Sequence, residues 1–303
     1  MYKIKNFDDW EEDIESGKFG SGASEKIWLV NKKTSEKGLF KYPKIKTNEV
    51  LTGEYWAEKI ASELASLLDI RCSNVDIGYY NGRIGSMNYN FVKEDEILAE
   101  GVTFIENKYI NYNKDKLVDD VSDKKYSLQM IEECIPSDFT KFIYQMILFD
   151  ALIGNSDRHH SNWGFIYKFN YQSGLTLHFS PLYDNGSSLC AYVNENDIDK
   201  LFKDKMMYNA LLETKSKSTI GWNNKRPIGH FELIRIIRDN HYDATINYVL
   251  KIKEKITENN VNKILNNFDK DIISDKMKGL LLKFILDRRD KILNIYNVED
   301  NDE

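Results

Sequence analysis

The sequence predicts an α+β fold of two lobes, a small β-rich N-terminal lobe with one main helix and a larger, mostly helical C-terminal lobe. In the first 95 residues, short apolar runs typical of strands surround one helical pattern at 54–68. After residue 229, Ile, Leu and Phe recur at helical spacing almost to the end of the chain. A chain of 303 residues is long enough to bury a core in each lobe. We therefore predict an N-terminal lobe at 1–95 and a C-terminal lobe at 96–303.

Three segments shape the predicted N-terminal lobe. Residues 20–30 join a loop of small residues to an apolar run typical of a strand, and residues 38–43 predict a second short strand. Residues 54–68 carry apolar side chains at i, i+4, i+8 and i+11, which places one helix face on the core: Trp56, Ile60, Leu64 and Leu67. Small residues let backbone N–H groups approach phosphate oxygens, although the 20–30 pattern is also that of an ordinary hairpin turn.

The C-terminal lobe begins after a predicted connection near 90–101. Residues 142–151 then form an apolar helical stripe, and two predicted strands follow at 163–167 and 175–179. Four later segments have the spacing of helices: 229–240, 242–256, 260–268 and 273–296. A helix that leads into a polar loop and then into a hairpin provides a rigid scaffold for the loop side chains.

That polar loop is the most informative part of the chain. Residues 155–162 read N-S-D-R-H-H-S-N, and residues 181–186 read P-L-Y-D-N-G. Asp157 and Asn162 are five positions apart, which is the spacing between the base and the metal-binding Asn in the catalytic loop of protein kinases. Asp184 follows the second strand, where a kinase places a metal-binding carboxylate. Because Mg²⁺ prefers oxygen ligands and keeps several waters, one Asn and one Asp together with ATP phosphates suffice to hold it.

Both segments also have an ordinary structural interpretation. Asn and Asp bond to their own backbone and tolerate left-handed geometry, so Asn-Ser-Asp and Asp-Asn-Gly are common turn sequences. Each segment alone is more typical of a loop than of a site. Their order, and the helix and hairpin around them, favour a phosphoryl-transfer site on a bilobal, protein-kinase-like fold.

The pattern N-x-D-R-H-x-x-N followed by P-x-Y-D resembles the HipA-type serine/threonine kinases, and D-R-H-x-x-N also occurs in phosphatidylinositol kinases. The resemblance extends over roughly residues 20–295. It implies that Asp157 is the catalytic base, that Asn162 and Asp184 hold Mg²⁺, and that ATP is the phosphoryl donor. It also implies a serine or threonine of a protein as the acceptor, a partner whose identity the sequence does not give.

The resemblance gives supporting roles to the residues beside the base. Arg158 and His159 are expected to support the loop, and we place His159 among the residues that face the nucleotide. A buried structural histidine is an equally good interpretation of His159. We interpret the adjacent His160 as a solvent-facing side chain.

The remaining ATP contacts are assigned to the N-terminal lobe by the same resemblance. The G-A-x-E-K segment places three small residues against the phosphates: Gly22, Ala23 and Ser24. Lys41 is expected to bind the α- and β-phosphates, and Glu58 to hold Lys41 in place, with Glu54 as a second candidate for that acid. Without the resemblance, Lys41 is an exposed strand lysine and either acid lies on a solvated helix face.

Adenine is expected to bind near 89–92, where the resemblance locates the connection between the lobes. We assign Tyr89 and Phe91 to this contact, and an ordinary strand and loop is the alternative. Ser21 and Ser24 would lie beside the phosphates, which suggests autophosphorylation in the Gly-rich loop. The polar stretch 184–222 contains a cluster of hydroxyl side chains and fits either an activation segment or a surface loop.

Composition narrows the class of protein. The chain has 42 basic and 48 acidic residues, a net charge of −6, which argues against direct binding of nucleic acid. The three cysteines lack C-x-x-C spacing and favour a reducing compartment: Cys72, Cys134 and Cys190. The sequence has no signal-peptide pattern and no apolar run of about 20 residues, so we expect a cytoplasmic protein without a membrane segment. A G-x-x-x-x-G-K-[S/T] motif is also missing, which argues against a P-loop NTPase.

Three other functions share parts of this pattern. A lipid or small-molecule kinase uses the same chemistry on another acceptor. A metal-dependent phosphohydrolase would place Asp157, His159, His160 and Asp184 around a transition metal and would not need Lys41. A nucleotide-binding pseudokinase would act as an interaction module, although the complete set of Asp157, Asn162 and Asp184 argues against it.

The chain resembles the shorter, stand-alone members of the HipA-like family. It starts almost directly at the Gly-rich segment, so we expect it to lack the N-terminal subdomain of longer HipA proteins. That expectation weakens the case for a toxin–antitoxin pairing made through the subdomain. A separately encoded, antitoxin-like partner stays possible.

Overall fold

The computed structural model describes residues 2–14, 25–46, 50–170 and 174–298. Within these ranges the strands are β1 (Lys5–Asn6), β2 (Glu11–Glu12), β3 (Lys26–Asn31), β4 (Glu36–Lys41), β5 (Val75–Tyr80), β6 (Arg83–Tyr89), β7 (Glu96–Glu100), β8 (Tyr112–Asn113), β9 (Val118–Asp119), β10 (Gly164–Asn170), β11 (Gly174–Phe179), β12 (Lys217–Ser218) and β13 (Ile228–Gly229). The α-helices are α1 (Glu54–Leu67), α2 (Gly101–Lys108), α3 (Leu128–Cys134), α4 (Thr140–Ile153), α5 (Ile198–Lys203), α6 (Lys205–Asn209), α7 (His230–Lys255), α8 (Glu258–Asn266) and α9 (Asp275–Ile295).

The first sheet has six strands in the order β1-β5-β6-β4-β3-β2. β1 pairs with β5 in parallel, and the other neighbouring strands pair antiparallel. Successive side chains of a strand point to opposite faces. On β4, Phe40 is therefore directed into a small aromatic core with Phe7 and Tyr80, whereas Lys41 is directed to the opposite face. This alternation presents the lysine to the cleft between the lobes.

Helix α1 covers this sheet and joins it to the rest of the molecule. Nine of its 14 residues are buried, because one side packs on β5 and β6 while another contacts α8. The Tyr55 hydroxyl donates to the Ile272 carbonyl at 3.3 Å, which links α1 to the segment between α8 and α9. Glu58 lies on the buried side of the helix, as only a charged residue with firm partners does.

The C-terminal lobe is built on three helices, α4, α7 and α9, which pack against one another. A three-stranded sheet in the order β11-β10-β7 lies beside them and carries the hairpin that precedes Asp184. In the part of the chain that the structure describes, no helix has both the length and the apolar character needed to cross a bilayer.

The predicted α+β arrangement of a β-rich and a helical lobe is confirmed. The two predicted helices at 229–240 and 242–256 both lie within α7, which is kinked between them at His241, where the backbone is non-helical (φ −140°, ψ 36°). β7 pairs with β10 rather than with the first sheet. The lobe boundary at 95/96 stays a prediction.

Candidate active site

The polar loop 155–162 begins where α4 ends at Gly154. Gly154 has φ 69°, a left-handed conformation that glycine adopts without strain and that commonly ends helices. Asn155 then donates its side-chain N–H to Asp150 at 3.0 Å and accepts from the Asp157 backbone N–H at 3.0 Å. The turn chemistry expected of Asn-Ser-Asp is present, and its effect is to fix the backbone on which Asp157 stands.

Arg158 lies under the loop, fully buried, and bonds to four different residues. Its Nε and Nη2 donate to the Asp150 carboxylate at 2.9 and 2.8 Å. Its Nη1 donates to the carbonyls of Asn162 at 2.7 Å and Tyr183 at 2.6 Å, and Nη2 also donates to Asn185 Oδ1 at 2.6 Å. One guanidinium therefore holds the loop that carries Asp157 against the segment that carries Asp184.

Asp157 is exposed to solvent on the polar loop, and its charge interacts with that of Asp184. Partial burial by the surrounding protein raises the pKa of its carboxyl above the ordinary value, and the charge of Asp184 adds to the rise. The neighbouring His159 works in the opposite direction and lowers the same pKa. A carboxylate with a raised pKa takes up a proton more readily, which suits a general base.

Asn162 is buried, and its side-chain orientation is fixed by a single hydrogen bond. Its Nδ2 donates to the Asp157 carbonyl at 2.7 Å. The amide N–H₂ is thereby turned toward the loop backbone, and no described residue donates to Oδ1. The structure thus leaves Oδ1 as an available oxygen ligand.

Lys41, Glu58 and Asp184 meet in the cleft. Lys41 Nζ lies 2.9 Å from Glu58 Oε1 and 2.9 Å from Asp184 Oδ1. Glu58 Oε2 accepts from the Asn185 backbone N–H at 2.9 Å, so the same carboxylate holds the lysine and the residue after Asp184. Lys41 is 16% exposed and Glu58 is 2% exposed, whereas Asp184 is 41% exposed and opens to solvent.

The electrostatics of this group favour the charged forms. Burial works to raise the pKa of Asp184, but the adjacent Lys41 ammonium outweighs it and lowers this pKa to about 2. Burial also works to lower the pKa of Lys41, and the carboxylates of Asp184 and Glu58 raise it above its ordinary range instead. Asp184 also has φ 56°, a left-handed conformation that turns its carboxylate toward Lys41.

The structure pairs Lys41 with Glu58 and not with Glu54. Glu54 accepts from the Thr52 hydroxyl at 2.6 Å and from the Tyr192 hydroxyl at 2.7 Å. Tyr192 belongs to the segment after Asp184, so Glu54 bridges α1 to that segment at the edge of the cleft. These contacts lower the pKa of Glu54 even though burial works to raise it.

The other predicted nucleotide contacts have mixed outcomes. Gly22, Ala23 and Ser24 lie outside the described residues. The Tyr89 side chain lies in the small aromatic core and donates to Asp76 at 2.9 Å, so only its backbone faces the connection. Phe91 lies against the Tyr183 ring, with centroids 5.6 Å apart, which places it next to Asp184. The adenine contact stays a prediction.

The two histidines of the loop differ in exposure. His159 is half-buried, and its Nδ1 accepts from the Ser161 backbone N–H at 3.2 Å. The interpretation of His160 as solvent-facing is wrong, because its ring is buried and lies 3.0 Å from the Tyr112 hydroxyl. Burial lowers the pKa of His160 to about 4. His160 is therefore a structural side chain that fills space under the loop.

Sequence reasoning missed three residues that shape the site. Asp150 and Asn185 hold Arg158, and Tyr192 bridges to α1. A signal for Asp150 was present, since it is a carboxylate inside the apolar stripe of α4 and a buried charge requires a partner. Asn185 and Tyr192 carry no such signal, because their partners are distant in sequence.

The residues present fit the Mg²⁺ that the fold implies. Asn162 Oδ1 has no described donor, and Asp184 keeps a carboxylate oxygen that Lys41 does not bond. Both are the hard oxygen ligands that Mg²⁺ takes from proteins. In the described ranges, no three His, Cys, Asp or Glu side chains come together as a metal-binding group.

Comparisons with known proteins support the fold. No family model matches the chain. The serine/threonine-protein kinase CtkA of Helicobacter pylori is 23% identical over 282 residues, which span 91% of this chain and 83% of that protein. The crystal structure of the H. pylori proinflammatory kinase CtkA matches with a TM-score of 0.80 at 20% identity, over 97% of this chain and 96% of the other. HipA of Shewanella oneidensis MR-1, solved in complex with HipB and operator DNA, matches with a TM-score of 0.60 at 15% identity, over 96% and 70%.

Proposed function

We propose that this chain transfers the γ-phosphoryl group of ATP to serine or threonine hydroxyls of a protein. The chain is homologous to CtkA, and it has the fold of HipA-like kinases that its motifs predicted. One observation carries the proposal: Lys41 Nζ bonds to both Glu58 and Asp184, at 2.9 Å each. A lysine held by a helix acid beside a metal-binding carboxylate is the arrangement that kinases use to position ATP phosphates.

Each residue contributes positioning or charge. Lys41 binds the α- and β-phosphates, and Glu58 keeps its side chain extended toward them. Asp157 orients the acceptor hydroxyl and takes up its proton, which the raised pKa of its carboxyl favours. Arg158 acts as a positioning residue, because it fixes the loop relative to Asp184 without facing the cleft.

Mg²⁺ supplies neutralisation of the phosphate oxygens when it is bound, and Asn162 and Asp184 are the residues that would hold it. Lys41 has a second task in this arrangement. In the free protein Lys41 pairs with the Asp184 carboxylate, and when the nucleotide binds Lys41 moves from Asp184 to the phosphates. The Asp184 carboxylate therefore stays ionised and can bind the metal.

The test is incubation of the purified chain with γ-labelled ATP, Mg²⁺ and a mixture of protein acceptors. Label on serine or threonine is expected from wild type and not from Asp157→Ala or Lys41→Ala. Lys263→Ala and Asp115→Asn change exposed residues on α8 and between β8 and β9, and they serve as matched controls. Absence of label with every protein acceptor, together with label on lipid or small-molecule hydroxyls, would replace the proposal with the alternative kinase class. ATP binding without transfer would favour the pseudokinase.

Autophosphorylation in the Gly-rich loop is a separate part of the proposal. Ser21 and Ser24 lie outside the described residues, and their position in the sequence beside the phosphate-binding segment supports the idea. Phosphopeptide mapping after incubation with ATP is expected to find phosphate within 20–26. Mapping that finds phosphate only elsewhere would contradict it.

We also propose a cytoplasmic location and a protein partner. The three cysteines are free thiols, as is usual in a reducing compartment. The HipA structure contains a bound HipB, which supports a separately encoded partner for this chain. The native mass of the chain purified from its own cells tests the partner, and a mass equal to 35.5 kDa alone would contradict it.

A further inference from the structure

A second cavity lies in the C-terminal lobe, away from Lys41 and Asp157. It has a volume of about 610 Å³ and is bounded by the β12–β13 pair, the first turns of α7 and the C-terminal part of α9. It is large enough for a small molecule or for a modified side chain. None of the sequence motifs that define the active site contributes to it.

The lining of this cavity is strongly basic, in contrast to the acidic balance of the whole chain. Five cationic and two acidic side chains line it. Both acids are already paired, Glu232 with Lys225 at 2.6 Å and Glu213 with Lys291 at 2.6 Å. Within the described residues, Lys217 and Arg235 have no acidic partner. The cavity therefore keeps two uncompensated positive charges, which match a doubly charged anion.

The start of helix α7 adds to the positive electrostatic potential of the cavity. Helix α7 begins at His230, and its N-cap residue, Gly229, has no side chain with which to cap the first turn. Free N–H groups at a helix start attract anions. Lys217 is the cross-strand partner of Gly229, so its backbone lies beside the start of α7, and its side chain lines the same cavity. Arg235, one turn further along α7, supplies a planar fork that suits phosphate oxygens.

A buried polar group without a partner marks the same place. His230 lines the cavity and is 2% exposed, and neither of its ring nitrogens makes a hydrogen bond of normal geometry to a described residue. One ring nitrogen approaches the Asn155 backbone, in the catalytic loop, closely enough to interact with it, and the other has no hydrogen-bond partner among the described residues. Buried polar groups usually have partners, so an unpartnered one in the wall of a basic cavity points to a missing ligand or an ordered solvent network.

The cavity is also mechanically connected to the catalytic loop. Ser216 Oγ donates to the Gly154 carbonyl at 3.0 Å, and Thr219 Oγ1 donates to the Ser156 carbonyl at 2.7 Å. These two residues flank Lys217 on β12. Any ligand that immobilises Lys217 therefore restrains the segment that holds the backbone on either side of Asn155.

We propose that this cavity binds a phosphate group between Lys217, Arg235 and the start of α7, and that the bound anion stabilises the catalytic loop. A phosphate has the charge that the two uncompensated cations require, and its oxygens can accept from the Arg235 fork and the helix N–H groups together. Two hydroxyls of the cluster at 214–219, those of Ser216 and Thr219, then connect the anion site to the catalytic loop.

The experiment is titration of the full chain with inorganic phosphate and with pyrophosphate, without ATP, followed by calorimetry. Sodium chloride at equal ionic strength is the reference for nonspecific screening. Arg235→Gln and Lys217→Gln are each expected to weaken binding about tenfold or more, since each removes a charge-assisted hydrogen bond. Lys263→Gln, an exposed cation on α8, is the matched control and should leave the affinity unchanged.

Hydrogen exchange in the same samples tests the connection. Phosphate is expected to slow exchange at 154–157 and 216–219 in wild type and not in Arg235→Gln. Binding that both variants retain, or no binding at millimolar phosphate, would overturn the site. Binding without slower exchange at 154–157 would overturn the connection. Because neither measurement uses phosphoryl transfer, failure here and failure of the kinase proposal are separate results.

Discussion

Two ion-pair groups lie within one active site and differ in exposure. Arg158 and Asp150 are 1% and 3% exposed, and the guanidinium also bonds to three residues of the loop and of the Asp184 segment. Lys41 and Asp184 are 16% and 41% exposed, and they are joined by one contact on the open side of the cleft. The closed group, Arg158 with Asp150, is buried and fixes the geometry of the site. The accessible group, Lys41 with Asp184, faces solvent and can exchange partners when a ligand binds.

The difference follows from solvent access. A buried charge that loses its partner stays in a medium that cannot solvate it, so such a pair is costly to break. A pair at the edge of water loses less, because solvent or an incoming phosphate replaces the partner. The site thus separates the charges that hold it in shape from the charges that act on the substrate.

Breaking the closed group should have the largest effect on stability. Arg158→Met leaves Asp150 buried without its partner, and we expect the free energy of unfolding to fall by about 3–5 kcal/mol. Urea unfolding of the purified variants measures the loss. The control is Arg83→Ala, which removes a surface pair with Glu25 and should cost less than about 1 kcal/mol. Equal losses in the two variants would remove the distinction between the groups.

Breaking the accessible group should affect catalysis instead. Lys41→Met removes a cation that stabilises developing phosphate charge, and we expect kcat/KM to fall about 10²- to 10³-fold. Its unfolding free energy should fall less than that of Arg158→Met, because the buried Glu58 carboxylate keeps its bond from the Asn185 N–H and Asp184 opens to solvent. Steady-state kinetics and urea unfolding on the same preparation compare the two. A variant that unfolds as easily as Arg158→Met while keeping its activity would reverse the assignment.

The two helix acids sharpen the comparison further. Glu58→Gln removes the carboxylate that holds Lys41, so kcat/KM should fall about tenfold or more, as expected for loss of a charge-assisted bond. Glu54→Gln keeps the length of the side chain and weakens its bonds from Thr52, Tyr192 and the Lys44 backbone, together with a partly exposed ion pair to Lys44. Its effect should be below about threefold, since bonds at the cleft edge contribute about 1 kcal/mol or less. A larger loss of kcat/KM in Glu54→Gln than in Glu58→Gln would show that Glu54, and not Glu58, holds Lys41.

The smallest expected effect is on the pH dependence. Asp157 must be ionised to accept a proton, so activity is lost as the pH falls through its raised pKa. Asp184, with a pKa of about 2, stays ionised throughout and does not contribute to this limb. His159→Gln removes a group that lowers the pKa of Asp157, so the acid limb of kcat/KM should move to higher pH. An unchanged limb would show that Asp157 is not the group that titrates.

The sequence predicted the elements better than the contacts between them. Helix α1 was expected at 54–68 and spans Glu54–Leu67, because an apolar stripe over four turns is a strong local signal. The end signal at Asn240 predicted a division of the next long helical segment, and α7 is kinked at the following residue, His241. Both parts of α7 belong to the packing of α4, α7 and α9, which the sequence did not predict.

Contacts of the site that depend on tertiary structure were not predictable. Asn185 reaches Arg158 from 27 positions away, and Tyr192 reaches Glu54 from 138 positions away. No local pattern records such distances. The basic cavity is a similar case, since Lys217 and Arg235 come together only when β12 and β13 pair beside the start of α7. Motif spacing identified the residues in the cleft, and packing determined what holds them.

The most direct test of the account compares ATP binding with phosphoryl transfer in Asp157→Asn. This substitution removes the proposed base and keeps the shape of the side chain, so ATP affinity should stay within about threefold of wild type, while kcat should fall about 10²- to 10⁴-fold. Asp115→Asn, at an exposed position outside the cleft, should match wild type in both measurements. Transfer that persists in Asp157→Asn at the wild-type rate would contradict the proposed site.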